Sequence, residues 1–197
     1  LKTINDTRSL VIAAGFGAAV FATNFVIGQA ILLSTGIPLI GGFASVVPLI
    51  FVAVVGAKLV PRFGVFTVMW AIATFLSFPT TSFGPPGLYK IVVGFVLGIV
   101  SDVVVAGLRH SRIGYIVACA IAESLGLLLL FWAMLLLGME IPPKLPKMIP
   151  FVSISYAVLA AIGAYLGLVF FERRISKLGQ VRSLLNRTGN DSSTNAN

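Results

Sequence analysis

Between Leu10 and Phe171 the chain is a succession of long apolar segments joined by short links that hold most of the charge. A backbone crossing hydrocarbon must satisfy every N–H and C=O within itself or in a closed barrel, and a segment of about 20 apolar residues does so as a helix. Hydropathy places the segments at about Leu10–Leu33, Gly42–Ala57, Gly64–Phe78, Leu88–Gly107, Ile113–Leu137 and Pro150–Phe171, the third being short and the second expected to kink at Pro48. They lack the strict alternation of outer-membrane strands. Only 10% of the 197 residues are charged, against about a quarter in a soluble domain. The fold class expected is therefore an all-α integral membrane protein, a six-transmembrane-helix bundle. Apolar segments continue to residue 171, so a cleaved secretory signal does not account for the hydrophobicity.

The net charge of +8 reads as a topology signal once the basic residues are placed on the links. With the N-terminus inside, Lys2, Arg8, Lys58, Arg62, Arg109, Arg112, Arg173, Arg174, Lys177, Arg182 and Arg187 share one side, and Lys90, Lys144 and Lys147 the other, 11 of the 14 against 3. Excess Lys and Arg mark the cytoplasmic side, so both termini are expected there. The charge then serves orientation and attraction to anionic lipid rather than nucleic acid. Three units are expected along the chain: a membrane domain over 1–171, a basic amphipathic surface segment over 172–187 carrying Ile175, Leu178, Val181 and Leu185 at helical spacing, and a disordered tail over 188–197.

Polar side chains inside hydrocarbon usually face a cavity or a partner. On this topology Asn24, Gln29, Ser45, Thr74, Ser77, Tyr89, Lys90, Ser153, Ser155 and Tyr156 crowd the outer half of the bundle, and Glu123 lies near the midplane with Trp132 beyond it. A pocket opening outward accounts for that asymmetry. Its candidate lining is Asn24, Gln29, Trp70, Thr74, Phe83, Tyr89, Lys90, Glu123, Trp132, Ser153 and Tyr156. Glu123 is the one carboxylate deep in a span, with Lys90 the nearest cation by depth. It reads as a ligand-binding group, as half of an ion pair, or as a structural bond to a neighbouring helix. The aromatic residues can stack on a flat ring, although aromatics also gather at membrane interfaces. The stretch from Pro79 to Gly87 cannot be helical, with Gly84-Pro85-Pro86-Gly87 at its centre, and is expected to roof the pocket.

A second pattern lies on the first span. Ala14, Ala18 and Ala22 recur every four residues beside Gly15, Gly17 and Ala19, which puts a smooth stripe on one helix face in its cytoplasmic half. Packing within the bundle and docking of another subunit are both open, since Ala157/Ala161 and Gly163/Gly167 repeat the pattern on the last span. No phosphate-binding loop, Gly-x-Ser-x-Gly elbow or His-Glu-x-x-His motif occurs. His110 and Cys119, each single in the chain, do not make a metal site of ordinary ligand count. Neither an enzyme, a cofactor nor a bound metal is expected.

These features together resemble the substrate-binding S components of energy-coupling-factor (ECF) vitamin transporters. The resemblance spans about Leu10 to Phe171. It rests on six spans with both ends inside, the Ala14/Ala18/Ala22 stripe, Pro61-x-x-Gly64 leading into the third span, and the Gly84-Pro85-Pro86-Gly87 loop before a glycine-bearing helix ending Ser101-Asp102. Val60-Pro61-Arg62-Phe63-Gly64 departs from the family in lacking its common Gly-Pro pair; the stretch from the third span through the fourth is most similar to members handling thiamin or its pyrimidine precursor. The resemblance implies the plasma membrane of a prokaryote and capture of a water-soluble vitamin or precursor outside. It also implies docking of the alanine stripe on a transmembrane coupling subunit carried by two cytoplasmic ATPases, and delivery by toppling of the S component in the membrane. A self-sufficient carrier using Glu123 for proton coupling, and a non-transporting scaffold subunit, are the competing readings.

Overall fold

The computed structural model describes residues 4, 6–36, 38–138 and 145–177. It is all-helical: α1 (Thr7–Thr35), α2 (Pro38–Leu59), α3 (Val65–Ser77), α4 (Tyr89–Gly107), α5 (Arg112–Leu136) and α6 (Leu145–Arg173), followed by one 3-10 turn at Ile175–Lys177. Five of these helices are long and apolar enough to cross a membrane, and α3 is a shorter apolar one. The chain is thus a multi-pass helical membrane protein. Of the expected surface segment, Ile175 to Lys177 form the 3-10 turn. The rest of it, from Leu178, and the expected tail from 188 to 197 lie outside the described residues.

Helix boundaries follow local chemistry. Asp6 caps α1, its carboxylate accepting from the Arg8 amide at 3.2 Å, and Gly36 ends the helix in the left-handed conformation while donating to Leu32. Ser111 caps α5 by accepting from the Gly114 amide at 3.0 Å. The first span is therefore longer than hydropathy alone indicates, because the helix runs to its polar caps. Pro150 does not begin the last helix: α6 starts at Leu145, and Pro150 lies inside it. As the sixth residue of the helix Pro150 lacks the N–H that would reach back four residues, so it costs α6 one interior bond without ending it.

The helices close into a ring in the order α1, α2, α6, α5, α4, α3, each packed on two neighbours. Glycines set the tightest seams. A Cβ at Gly17 would stand 2.6 Å from the Met69 carbonyl of α3, one at Gly163 2.6 Å from the Val47 carbonyl of α2, and one at Gly98 would intrude on the Thr67 backbone.

The short α3 has no side-chain cap of its own, since Gly64 occupies its N-cap. Asp102, reaching over from α4, accepts instead from the amides of Phe66 (3.1 Å) and Thr67 (2.9 Å) and from the Thr67 hydroxyl (2.6 Å). A carboxylate at a helix N-terminus satisfies orphan donors and meets the positive end of the macrodipole. Asp102 is thus a structural clamp between α3 and α4, while the Ser101 hydroxyl donates within α4 to Leu97 at 2.8 Å.

The two ends of the bundle differ. At one end Arg112 pairs with Glu172 at 2.5 Å, Arg62 with Asp6 at 3.9 Å, and Lys58 lies 4.5 Å from the centre of the Tyr115 ring. That end gathers Arg8, Lys58, Arg62, Arg109, Arg112, Arg173, Arg174 and Lys177. The opposite end has only Lys90 and Lys147 among the described residues. The half nearer the basic end is filled by side chains: Ala13, Val54, Phe66, Met69, Tyr115, Ala118, Ala160, Ala164 and Leu168 are all buried.

Candidate ligand-binding cavity

The charge-poor half is hollow. A cavity of about 760 Å³ lies inside the ring, lined by residues of all six helices and of the α3–α4 loop. Its size falls within the range of small-molecule sites. The wall is mostly apolar, from Val46 and Leu49 of α2 through Val93 and Leu97 of α4 to Leu127, Leu130 and Met134 of α5, with polar groups at a few points.

The roof is the loop from Phe78 to Leu88. Irregular backbone in a membrane protein persists only where it is buried in protein or lines a cavity, and then its polar groups need partners. Here they find them locally. The Thr80 amide donates to Ser77 at 2.9 Å, the Gly87 amide to Phe78 at 3.0 Å, and the Tyr89 hydroxyl to Pro85 at 2.6 Å. Lys90 supplies the remainder: its ammonium donates to the carbonyls of Ser77 (3.1 Å), Thr80 (2.7 Å) and Ser82 (2.6 Å). Three N–H groups meet three acceptors, and the side chain is 2% exposed. Lys90 therefore lines the cavity as a roof staple. No ion pair joins it to Glu123 among the described residues, so of the three readings of Glu123 the pairing with Lys90 is one the geometry does not form.

The roof rests on α5, where only glycine fits: Gly84 has φ 97° and its Cβ would lie 2.8 Å from Leu130. The preceding Phe83 is held at φ 56°, a region uncommon for a bulky residue. That backbone seats its ring edge-on to Trp70, 6.0 Å between centroids. On the far side of the roof, Gln29 of α1 donates to the Thr81 hydroxyl at 2.8 Å.

Asn24, Gln29, Trp70, Thr74, Phe83, Tyr89, Lys90, Glu123 and Tyr156 all line the cavity. Several have their polar atoms engaged elsewhere: the Thr74 hydroxyl donates to Trp70 of its own helix at 2.7 Å, and Gln29, Tyr89 and Lys90 hold the roof. The Asn24 carbonyl oxygen accepts from Ser45 of α2 at 2.6 Å, while among the described residues its amide nitrogen and the Tyr156 hydroxyl have no hydrogen-bond partner. Among the described residues two further atoms are buried without a partner and belong to lining residues, Glu123 Oε1 and Ser82 Oγ.

Two candidates do not line the cavity. Trp132 is 65% exposed. Helical phase explains it: Gly126, Leu127, Leu130 and Met134 follow Glu123 at three, four, seven and eleven residues along one face, and nine residues bring Trp132 to the opposite side. It takes the place of an interfacial aromatic. Ser153 is buried with its hydroxyl unpartnered, one position past the lining residue Val152. Sequence reasoning passed over Ser82, Gly126 and the apolar liners of α5 and α6, because an apolar residue facing a cavity reads like one facing lipid. The three-and-four phase from Glu123 is the signal that finds those on α5.

The face of α1 that packs inward carries Ala13, Gly17, Val20 and Asn24. The alanine stripe lies beside it, with Ala14 and Ala18 half-buried and Ala22 exposed, next to exposed Val11, Gly15 and Val26. A Cβ at Gly15 would meet nothing within 4 Å. No protein-family profile, curated protein or solved structure matches the chain.

Proposed function

We propose that the chain is a substrate-capture subunit of the ECF S-component type, crossing the membrane six times with both termini in the cytoplasm and its cavity opening outward. The observation that carries the reading is a roofed, dead-ended cavity at the charge-poor end of a bundle whose basic end is solid. With the basic end cytoplasmic, the hollow end faces the source of a scarce solute. The α3 helix, about 20 Å long at 1.5 Å per residue, completes a crossing together with its roof loop rather than alone. The ligand is a water-soluble vitamin or a precursor of one. The smooth, partly uncovered Ala14/Ala18/Ala22 face is where a transmembrane coupling subunit, carried by two cytoplasmic ATPases, would seat.

The test is a double variant, Ala14→Leu with Ala18→Leu, assayed for binding by the purified protein and for uptake by cells. Binding is expected to survive and uptake to be lost. Uptake at the parent rate would remove the docking assignment. The unpartnered Glu123 oxygen favours one second reading, a self-sufficient carrier coupled to protons. That reading requires uptake to persist after any ATPases found to copurify with the chain are deleted and to cease with a protonophore.

A further inference from the structure

We infer that the cavity accepts a flat ring bearing positive charge or N–H donors and rejects carboxylates and phosphates. The inference rests on the capture reading and concerns which chemistry that site selects. Among the described residues two charged side chains line the cavity, Lys90 and Glu123, and they are not equivalent. All three N–H donors of Lys90 are taken by the carbonyls of Ser77, Thr80 and Ser82, so it has no hydrogen bond left to offer an anion. Glu123 has the opposite condition: Oε1 is buried, unpartnered and on the cavity wall. A buried carboxylate oxygen without a donor is costly, and a ligand donor removes that cost while an anion adds to it.

The walls agree with the charge argument. Trp70 and Phe83 stand edge to face beneath the roof, and Tyr89 and Tyr156 also line the space. Aromatic faces attract a cation and stack on a planar ring. The Tyr156 hydroxyl and Ser82 Oγ accept as readily as they donate, and the Asn24 amide nitrogen offers a donor to a ring nitrogen. The site is thus suited to an amidine or an amino-substituted nitrogen heterocycle.

Three probes share one ring and differ in charge: benzamidine, benzamide and benzoate. Binding to the detergent-purified full chain is measured by calorimetry and by the shift in melting temperature. Benzamidine is expected to bind tightest and benzoate weakest, with about tenfold or more between the two, the least a charge-assisted hydrogen bond contributes. Glu123→Gln keeps the side chain's shape, and it should bring benzamidine down to benzamide. The ranking in the parent protein decides the matter alone should that variant fail to fold. Benzoate binding as well as benzamidine would overturn the inference, as would a ranking untouched by Glu123→Gln. Native mass spectrometry of the protein as purified separates the two levels. A retained carboxylate or phosphate sinks the charge selectivity and leaves capture standing. No retained molecule together with no binding of any probe sinks capture, and the inference with it.

Discussion

Replacing Lys90 by methionine isolates what its ammonium does, because the apolar stem and most of the volume are kept. The variant orphans the carbonyls of Thr80 and Ser82, which the ammonium holds at 2.7 and 2.6 Å, while the Ser77 carbonyl keeps the Thr80 amide and hydroxyl as donors at 2.9 Å each. Each unsatisfied buried acceptor costs about 1–3 kcal/mol, so the lower end alone gives about 2 kcal/mol for the two. The upper end is not reached, since the roof can peel into water before the bundle unfolds, and opening then limits the loss. The expected result is a loss of about 2 kcal/mol in reversible unfolding in mixed micelles, with new proteolytic cuts between Pro79 and Gly87. A double-mutant cycle with Glu123→Gln sharpens the test, because groups without a shared partner should add within about 0.5 kcal/mol. Parent stability with an uncut roof would refute the staple. A coupling well above that limit would show that Lys90 answers to Glu123 after all.

Two other outcomes follow from the α3–α4 seam and from α1. Asp102→Asn replaces a carboxylate accepting from two amides and a hydroxyl by a side chain with one acceptor oxygen, and should cost about 1–3 kcal/mol in the same unfolding assay. Gly98→Ala sets a methyl against the Thr67 backbone and should cost about 1–3 kcal/mol, whereas Gly15→Ala, with open space around it, should stay within about 0.5 kcal/mol. Equal effects at the two glycines would mean that the seam is looser than described.

The sequence showed most of the helices, because a span announces itself by hydropathy wherever it occurs. It was least informative where one residue serves another element. Nothing local says that Asp102 of α4 caps α3, although a bare Gly64 at a helix start and a carboxylate within a later apolar span are complementary clues. Lys90 was legible as a buried cation, but its partners are backbone carbonyls, which no side-chain inventory reveals. Depth alone grouped Trp132 with Glu123, and only rotation about the helix axis separates them. Pro150 misled for a simpler reason: proline reports a missing donor, not the end of a helix.

The closed order of the six helices, with Phe66, Met69, Tyr115 and Leu168 interlocked in its lower half, rules out one style of traffic. A pore conducts because its axis can be cleared by small motions, and this axis is stoppered by the molecule's own close-packed interior. Whatever sits beneath the roof has no downward route that leaves the bundle intact. On the capture reading proposed above, the vessel is carried or tipped as a body, or gives back what it holds through the mouth by which it was filled.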